Sequence, residues 1–328
     1  MPPDTTSKEV IMADVMPTPA RAAARWDLHD HAVQRRAFRA LRVVFGLIWV
    51  FNVVYQLHPA YIERLFLKSI AAHHGQSAWY VDYTHWAMGL IAAIGAPGVA
   101  LFTVAVGALL AVSLLSGLWL RQVAWIGVVF TFVMWTLNGH LGGPYTAGAT
   151  DPGTLVVYSL TFIALLLAEP AAGAADDETA RARRYRILRL LFGALWAFDA
   201  AWKWTPFFID HSLSYLVQSQ AGQPAWIVAY IQIFVDAIKL VGQQAFGIFA
   251  AVAETVIAVG LIANRGMRFV LPFGFLYSIG VWTTAEGWGG PYGAVTGVGG
   301  DVLGTTIIYA LIFAYLMVMY PPTRRSAA

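Results

Sequence analysis

The 328-residue chain contains no cysteine. That excludes disulfides, thiolate metal sites, iron–sulfur clusters, c-type haem attachment and thiol catalysis together. Charge is also scarce. Asp, Glu, Lys and Arg make up 12% of residues, against about 25% in soluble globular chains, which excludes an ordinary soluble enzyme and a disordered protein. Residues 1–40 hold no apolar run of signal-peptide type. Phosphate loops, Ser-His-Asp order motifs and nucleic-acid signatures are missing. Copper or haem could use histidines, but His58, His73, His74, His85, His140 and His211 show no compact ligand spacing. The adjacent pair His73–His74 would point about 100° apart on a helix. The expectation is therefore no metal site.

What the chain does have is apolar bulk. Hydrophobic residues reach 59%, mean hydropathy is +0.62, and 13 Trp and 14 Tyr suit a chain with two water–lipid boundaries. A spanning helix needs ~20 mostly apolar residues. Eight stretches qualify: 41–57, 98–119, 123–139, 152–169, 188–204, 246–263, 267–284 and 302–320. Two more, 86–96 and 225–241, are read as re-entrant or interfacial. The first is broken by Gly95, Pro97 and Gly98, and the second carries Asp236 and Lys239. With a cytoplasmic N-terminus and eight spans, 17 of the 21 Lys and Arg fall inside, leaving Arg64, Lys68, Lys203 and Lys239 at or beyond the outer boundary. Both termini are then cytoplasmic.

One offset recurs along the chain. Leu41, Arg42, Phe45, Gly46, Trp49, Phe51 and Asn52 reappear 147 residues later as Leu188, Arg189, Phe192, Gly193, Trp196, Phe198 and Asp199. Pro59 and Pro206, Trp135 and Trp282, and the Gly-Gly-Pro-Tyr blocks at 142–145 and 289–292 keep the same offset. The predicted fold class is an all-α polytopic membrane protein of eight transmembrane helices. They form two parallel four-helix repeats with interfacial helices on the extracytoplasmic side. The predicted organisation is a basic N-terminal segment (1–40), a first repeat (41–169), a polar linker (170–187), a second repeat (188–321) and a short tail (322–328).

Ionisable residues at mid-membrane are candidates for function because their insertion is unfavourable. Glu254 lies near the middle of the 246–263 stretch, is expected to face the interior within reach of Asp199, Lys203 or Glu286, and could exchange a proton with a bound group or serve as a structural hydrogen-bonding residue. Asp199 and Lys203 share a helix face with Trp196. They could form an intrahelical ion pair, or Lys203 could draw in an anion such as thiosulfate or a quinone oxygen. Trp282 and Glu286 are four apart at the outer end of 267–284. Asp151 and Asp301 read as helix caps. Tyr145 and Tyr292 read as headgroup anchors or as the roof of an outward-facing site. The first copy offers Asn52, Gln56, Leu110, Gly139 and His140 at the corresponding places, so the charged constellation belongs to the second copy.

Several ordered motifs point beyond the residues themselves. These are Leu188-Arg189, Gly193, Asp199, Lys203 and Pro206, then 222–226, Glu254 through Leu261 before Arg265, and Glu286 through Tyr292, with 142–154 in the first copy. Together they resemble the DoxX/DoxD superfamily, and specifically the DoxD-type subunit of thiosulfate:quinone oxidoreductase. The resemblance covers about 280 residues. It implies a subunit of the prokaryotic cytoplasmic (inner) membrane passing electrons from a sulfur compound to quinone. Glu254, Lys203, Asp199 and Glu286 would be the catalytic candidates. Trp196, Trp282, Trp288, Tyr292, His140, Tyr145 and Asp151 would be candidates for binding the quinone. Quinone is then a co-substrate, and the chain carries no haem, flavin or iron–sulfur motif of its own. The expected partners are the lipid bilayer and a second subunit on the extracytoplasmic side, with no nucleic acid. A non-catalytic anchor or assembly subunit for a redox partner is the alternative, followed by a small-molecule transporter.

Overall fold

A computed structural model describes residues 31–71, 74–143, 151–169, 177–290 and 303–320. Among these there are twelve α-helices and no strand. They are α1 (His31–Gln56), α2 (Phe66–Ile70), α3 (Ala78–Ile94), α4 (Ala96–Ser116), α5 (Leu120–Leu137), α6 (Thr154–Ala168), α7 (Glu178–Lys203), α8 (Pro206–Gln218), α9 (Ala225–Val241), α10 (Gln243–Ala263), α11 (Met267–Thr283) and α12 (Thr306–Met319). A π-helical turn, Tyr61–Leu65, leads into α2. Turns of 3-10 type follow α5 (His140–Gly142) and α11 (Gly287–Gly289). The bounds of α3, α4 and the first 3-10 turn recur 147 residues later in α9, α10 and the second.

Four helices are long and apolar enough to cross a membrane: Ala32–Gln56, Ala96–Ser116, Leu120–Leu137 and Gln243–Ala263. Their outward faces carry Phe102, Val112, Phe132, Phe249 and Val259 exposed. Water does not tolerate so much contiguous apolar surface, whereas lipid chains do, so these faces define a bilayer environment. α6 and α12 differ in kind. At 15 and 14 residues and 1.5 Å per residue they are about 21–22 Å long, less than the ~30 Å hydrocarbon core. They are also apolar on nearly every side and buried on nearly every side. A helix of that pattern belongs inside a protein rather than against lipid.

Several expected boundaries move. The stretches 152–169 and 302–320 shorten because Gly153 and Gly304 hold positive φ just before the helices begin. Residues 178–187, expected in a linker, form the first turns of α7. The Oδ1 atom of Asp177 accepts from the Ala180 N–H at 2.6 Å, capping that start. Residues 31–40 likewise belong to α1. The roughly forty residues after α1 and α7 are mostly helical, and α3 and α9 are full helices of 17 residues. Each joins the next helix through a single glycine, Gly95 or Gly242.

Packing proceeds in matched pairs: α1 on α4, α5 on α6, α7 on α10 and α11 on α12. α6 and α12 meet each other at the centre, where the Thr154 and Thr305 hydroxyls lie 2.6 Å apart. α12 also touches α1, and α6 touches α7. Two glycines make the tight crossings possible. Gly127 of α5 faces the Phe162 ring and Gly274 of α11 faces the Phe313 ring. A Cβ on either would lie 2.5 Å and 2.1 Å, respectively, from the ring's Cζ. At one end of the bundle, arginines hold helix C-termini. The buried Arg189 guanidinium donates to the Leu261 and Ile262 carbonyls at the end of α10, and the Arg42 guanidinium packs over Gly117 at the end of α4.

Opposite Glu254, the helix pairing corrects one expectation. The α4 position matching Glu254 in α10 is Gly107, three residues before Leu110. Gly107 lies against Val53 and Trp49, so the first half fills that place with hydrocarbon.

Candidate functional site

Five helices converge on one cavity of about 260 Å³, bordered by Trp196, Asp199 and Lys203 of α7, Phe208 and Ser212 of α8, Glu254 of α10, Tyr277 of α11 and Tyr309 of α12. Asp151, from the segment before α6, and Glu286, from the turn after α11, also line it. Three of the four predicted ionisable groups lie on helices because their neighbours are small or apolar and leave the helical ladder undisturbed. Ala200 follows Asp199, and Ala250, Ala251 and Ala253 precede Glu254.

Asp199 is 4% exposed and Glu254 5%. Such groups survive burial only with partners. The Tyr309 hydroxyl donates to Asp199 Oδ2 at 2.7 Å, and the Tyr277 hydroxyl donates to Glu254 Oε1 at 3.1 Å. The Lys203 ammonium lies 3.6 Å from the same Oε1 and 4.8 Å from the centre of the Phe208 ring. The Lys203–Glu254 ion pair is therefore interhelical, joining α7 to α10, and Lys203 is one of the partners expected for Glu254. One ammonium stands among four carboxyl groups in this cavity.

Four polar atoms remain over. Trp196 Nε1, Asp199 Oδ1, Glu254 Oε2 and Thr306 Oγ1 are buried and have no hydrogen-bond partner among the described residues. All four residues border the cavity. Buried polar atoms are nearly always paired, so an indole donor and two carboxyl oxygens on residues that border one cavity suit a ligand with both an acceptor and a donor. The volume lies just under the ~300 Å³ at which small-molecule sites begin.

Glu286 does a second job. Both of its carboxyl oxygens accept from the Thr306 N–H, at 3.1 and 3.0 Å, so it caps the start of α12 from another segment. The 3-10 turn that carries it needs glycine. Gly289 has φ 81°, and a Cβ there would lie 2.3 Å from the Leu303 carbonyl oxygen. The Trp282 indole donates to that same carbonyl at 2.7 Å, and Trp135 donates to the Pro152 carbonyl at 2.7 Å in the first half. Trp282 thus holds the turn in place and does not border the cavity. Burial pushes the Glu286 carboxyl up to about 7, against the opposing pull of its Thr306 hydrogen bond. Because the folded protein holds this proton more tightly than the unfolded chain, the stabilisation is complete below the ordinary glutamate value and fades as pH rises through 7. Between pH 5 and 8 the melting temperature should fall by a few degrees from this group, and the slope should flatten in Glu286→Gln. Identical pH slopes in the two proteins would contradict the assignment.

Other predicted site residues lie elsewhere. His140 is buried in the first half, its Nε2 3.1 Å from the Ala71 carbonyl and its ring edge-on to Tyr80. Trp288 packs against Trp226, Tyr230 and Trp282. Tyr145, Tyr292 and Asp301 fall outside the described residues. Asp151 does reach the cavity, and its Oδ1 accepts from the Gly153 N–H at 2.8 Å, forming a local turn ahead of α6. Among the described residues no group of three or more His, Asp or Glu could hold a metal ion. The tyrosines Tyr277 and Tyr309 were missed, yet a signal existed for the second. Tyr158 and Phe162 in α6 have the same spacing as Tyr309 and Phe313 in α12, and the Asn52 amide donates to the Tyr158 hydroxyl at 2.9 Å.

The fold and this cluster define an all-helical protein whose apolar helices are compatible with multi-pass membrane insertion. No protein-family model, curated protein or solved structure matches the chain.

Proposed function

We propose that the chain is a quinone-reactive subunit of a membrane oxidoreductase, with the quinone ring in the cavity between α7, α10, α11 and α12. The observation that carries this reading is a set of buried atoms without a hydrogen-bond partner among the described residues, Trp196 Nε1, Asp199 Oδ1 and Glu254 Oε2, on residues that border one cavity. A quinone carbonyl accepts from the indole, and the quinol hydroxyl donates to a carboxylate. Reduction takes two electrons and two protons, and Asp199 and Glu254, each bonded to a tyrosine hydroxyl, are placed to supply the protons. An uncharged ring is also suited to a cavity with more carboxyls than cations. The sulfur compound that donates electrons, which the DoxD-like motifs suggest, is placed outside this cavity.

The same reading takes the chain as eight spans in two parallel four-helix repeats, with both termini cytoplasmic in a prokaryotic inner membrane. Its support is the 147-residue recurrence of helix bounds, the matched pairs Asn52–Tyr158 and Asp199–Tyr309, and the 17-to-4 distribution of basic residues.

The test uses the full chain in proteoliposomes and a short-chain benzoquinone. Quinone should quench tryptophan fluorescence saturably. Trp196→Phe should remove a large share of the quench, and Glu254→Gln should weaken apparent affinity about tenfold or slow thiosulfate-dependent reduction to the same degree. Quenching that neither substitution alters would sink the proposal.

A further inference from the structure

At the arginine-rich end of the bundle lies a second cavity, of about 370 Å³, unrelated to the acidic one. Arg35, Arg39 and Arg42 come to it from α1, and Arg181 and Arg184 from α7. The floor is Glu169, at the end of α6, and the walls include Phe38, Leu167 and Met319. Basic residues at a helix start are expected along one face of any membrane protein. Three features go beyond that expectation. The arginines come from two helices far apart in sequence yet line one cavity at the junction of the two halves. The space has an apolar wall. Arg42 Nε is buried and has no hydrogen-bond partner among the described residues, and Arg42 borders the cavity.

We propose that this cavity binds a phosphate group. Guanidinium forks match the oxygens of a phosphate pairwise, and their planar shape lets them stack on apolar walls while doing so. Two sources share this chemistry, a phosphodiester in an anionic lipid headgroup and a free inorganic phosphate. The apolar wall of Phe38, Leu167 and Met319 favours the lipid, whose acyl chains continue from the phosphate into hydrocarbon. Bound there, a phosphate would join α1 to α7 across the junction of the halves.

The experiment uses the full chain in a neutral detergent. Its melting temperature is followed on adding phosphatidylglycerol, phosphatidylcholine or inorganic phosphate, and retained lipid is counted by native mass spectrometry. Phosphatidylglycerol should stabilise the protein by several degrees and phosphatidylcholine should not. In Arg39→Gln/Arg184→Gln the concentration needed for half the effect should rise at least tenfold. Arg42 is left intact because it packs over the end of α4. Arg39→Lys/Arg184→Lys keeps the charge without the fork, and gives an intermediate shift even if the Gln pair folds poorly. Stabilisation by inorganic phosphate at similar concentrations would assign the site to a free anion. An unchanged lipid response in both double variants, or no response to either phosphate source in the wild-type chain, overturns the proposal.

Discussion

Lys203→Met should be among the most damaging single changes in the protein. The ammonium lies 3.6 Å from Glu254, and both side chains are largely enclosed. Removing one member of a buried ion pair leaves the other uncompensated, at a loss of about 3–5 kcal/mol. The matching change in the first half, Gln56→Met, removes no charge and should cost under ~1 kcal/mol. The double variant Lys203→Met/Glu254→Gln should recover most of the lost stability, since neither charge then remains. A cycle built from the two single variants and the double, read by thermal or denaturant unfolding in detergent, gives the coupling directly. Thiosulfate-dependent quinone reduction, measured at matched expression, should stay low in the double variant even where the fold returns. Equal losses from Lys203→Met and Gln56→Met would refute a site confined to the second half.

A comparably large effect is expected at Gly274, where no charge is involved. A Cβ added there would meet Phe313 Cζ at 2.1 Å. The ring cannot simply turn aside, because Phe192 lies 4.8 Å and Trp196 5.7 Å from it, centre to centre. Gly274→Ala should therefore force α11 and α12 apart at a cost of roughly 1–3 kcal/mol, and Gly274→Val by more. Because Trp196 borders the acidic cavity, quinone affinity should fall together with stability. Phe313→Leu in the Gly274→Ala background should restore part of the loss by shortening the opposing side chain. A double variant no more stable than Gly274→Ala would show that the strain lies elsewhere.

Helix positions were largely legible because the chain is punctuated by apolar runs and by the 147-residue offset. Glu254 and Lys203 were legible as candidates because a charge inside an apolar helix stands out. Their pairing was legible as one of three options: the charged residues of the second copy offered Glu254 the partners Asp199, Lys203 and Glu286, and the packing of α7 on α10 selects Lys203. Tyr277 and Tyr309 were hidden for the opposite reason: a tyrosine in an apolar helix looks like any other core aromatic until a carboxylate is seen beside it. His140 lies one residue past the position matching Glu286, Gly139, and only the structure shows that its ring reaches the Ala71 carbonyl. The short lengths of α6 and α12 were unreadable because residues 152–169 and 302–320 are apolar beyond the helices themselves.

The reciprocal contact of α6 with α12, centred on Thr154 and Thr305, has the form of a two-fold dimer interface. Separate, identical subunits would have to place every buried charge twice, each insertion opposed by about 2.5–3.5 kcal/mol. Joining the halves in one polypeptide removes that obligation. One half is free to gather Asp199, Lys203 and Glu254 while the other keeps Asn52, Gln56 and Gly107 and supplies a well-packed buttress. Covalent continuity thus permits a division of labour that symmetry would forbid, and Asp151, contributed across the junction, is where the buttress reaches into its partner's chemistry.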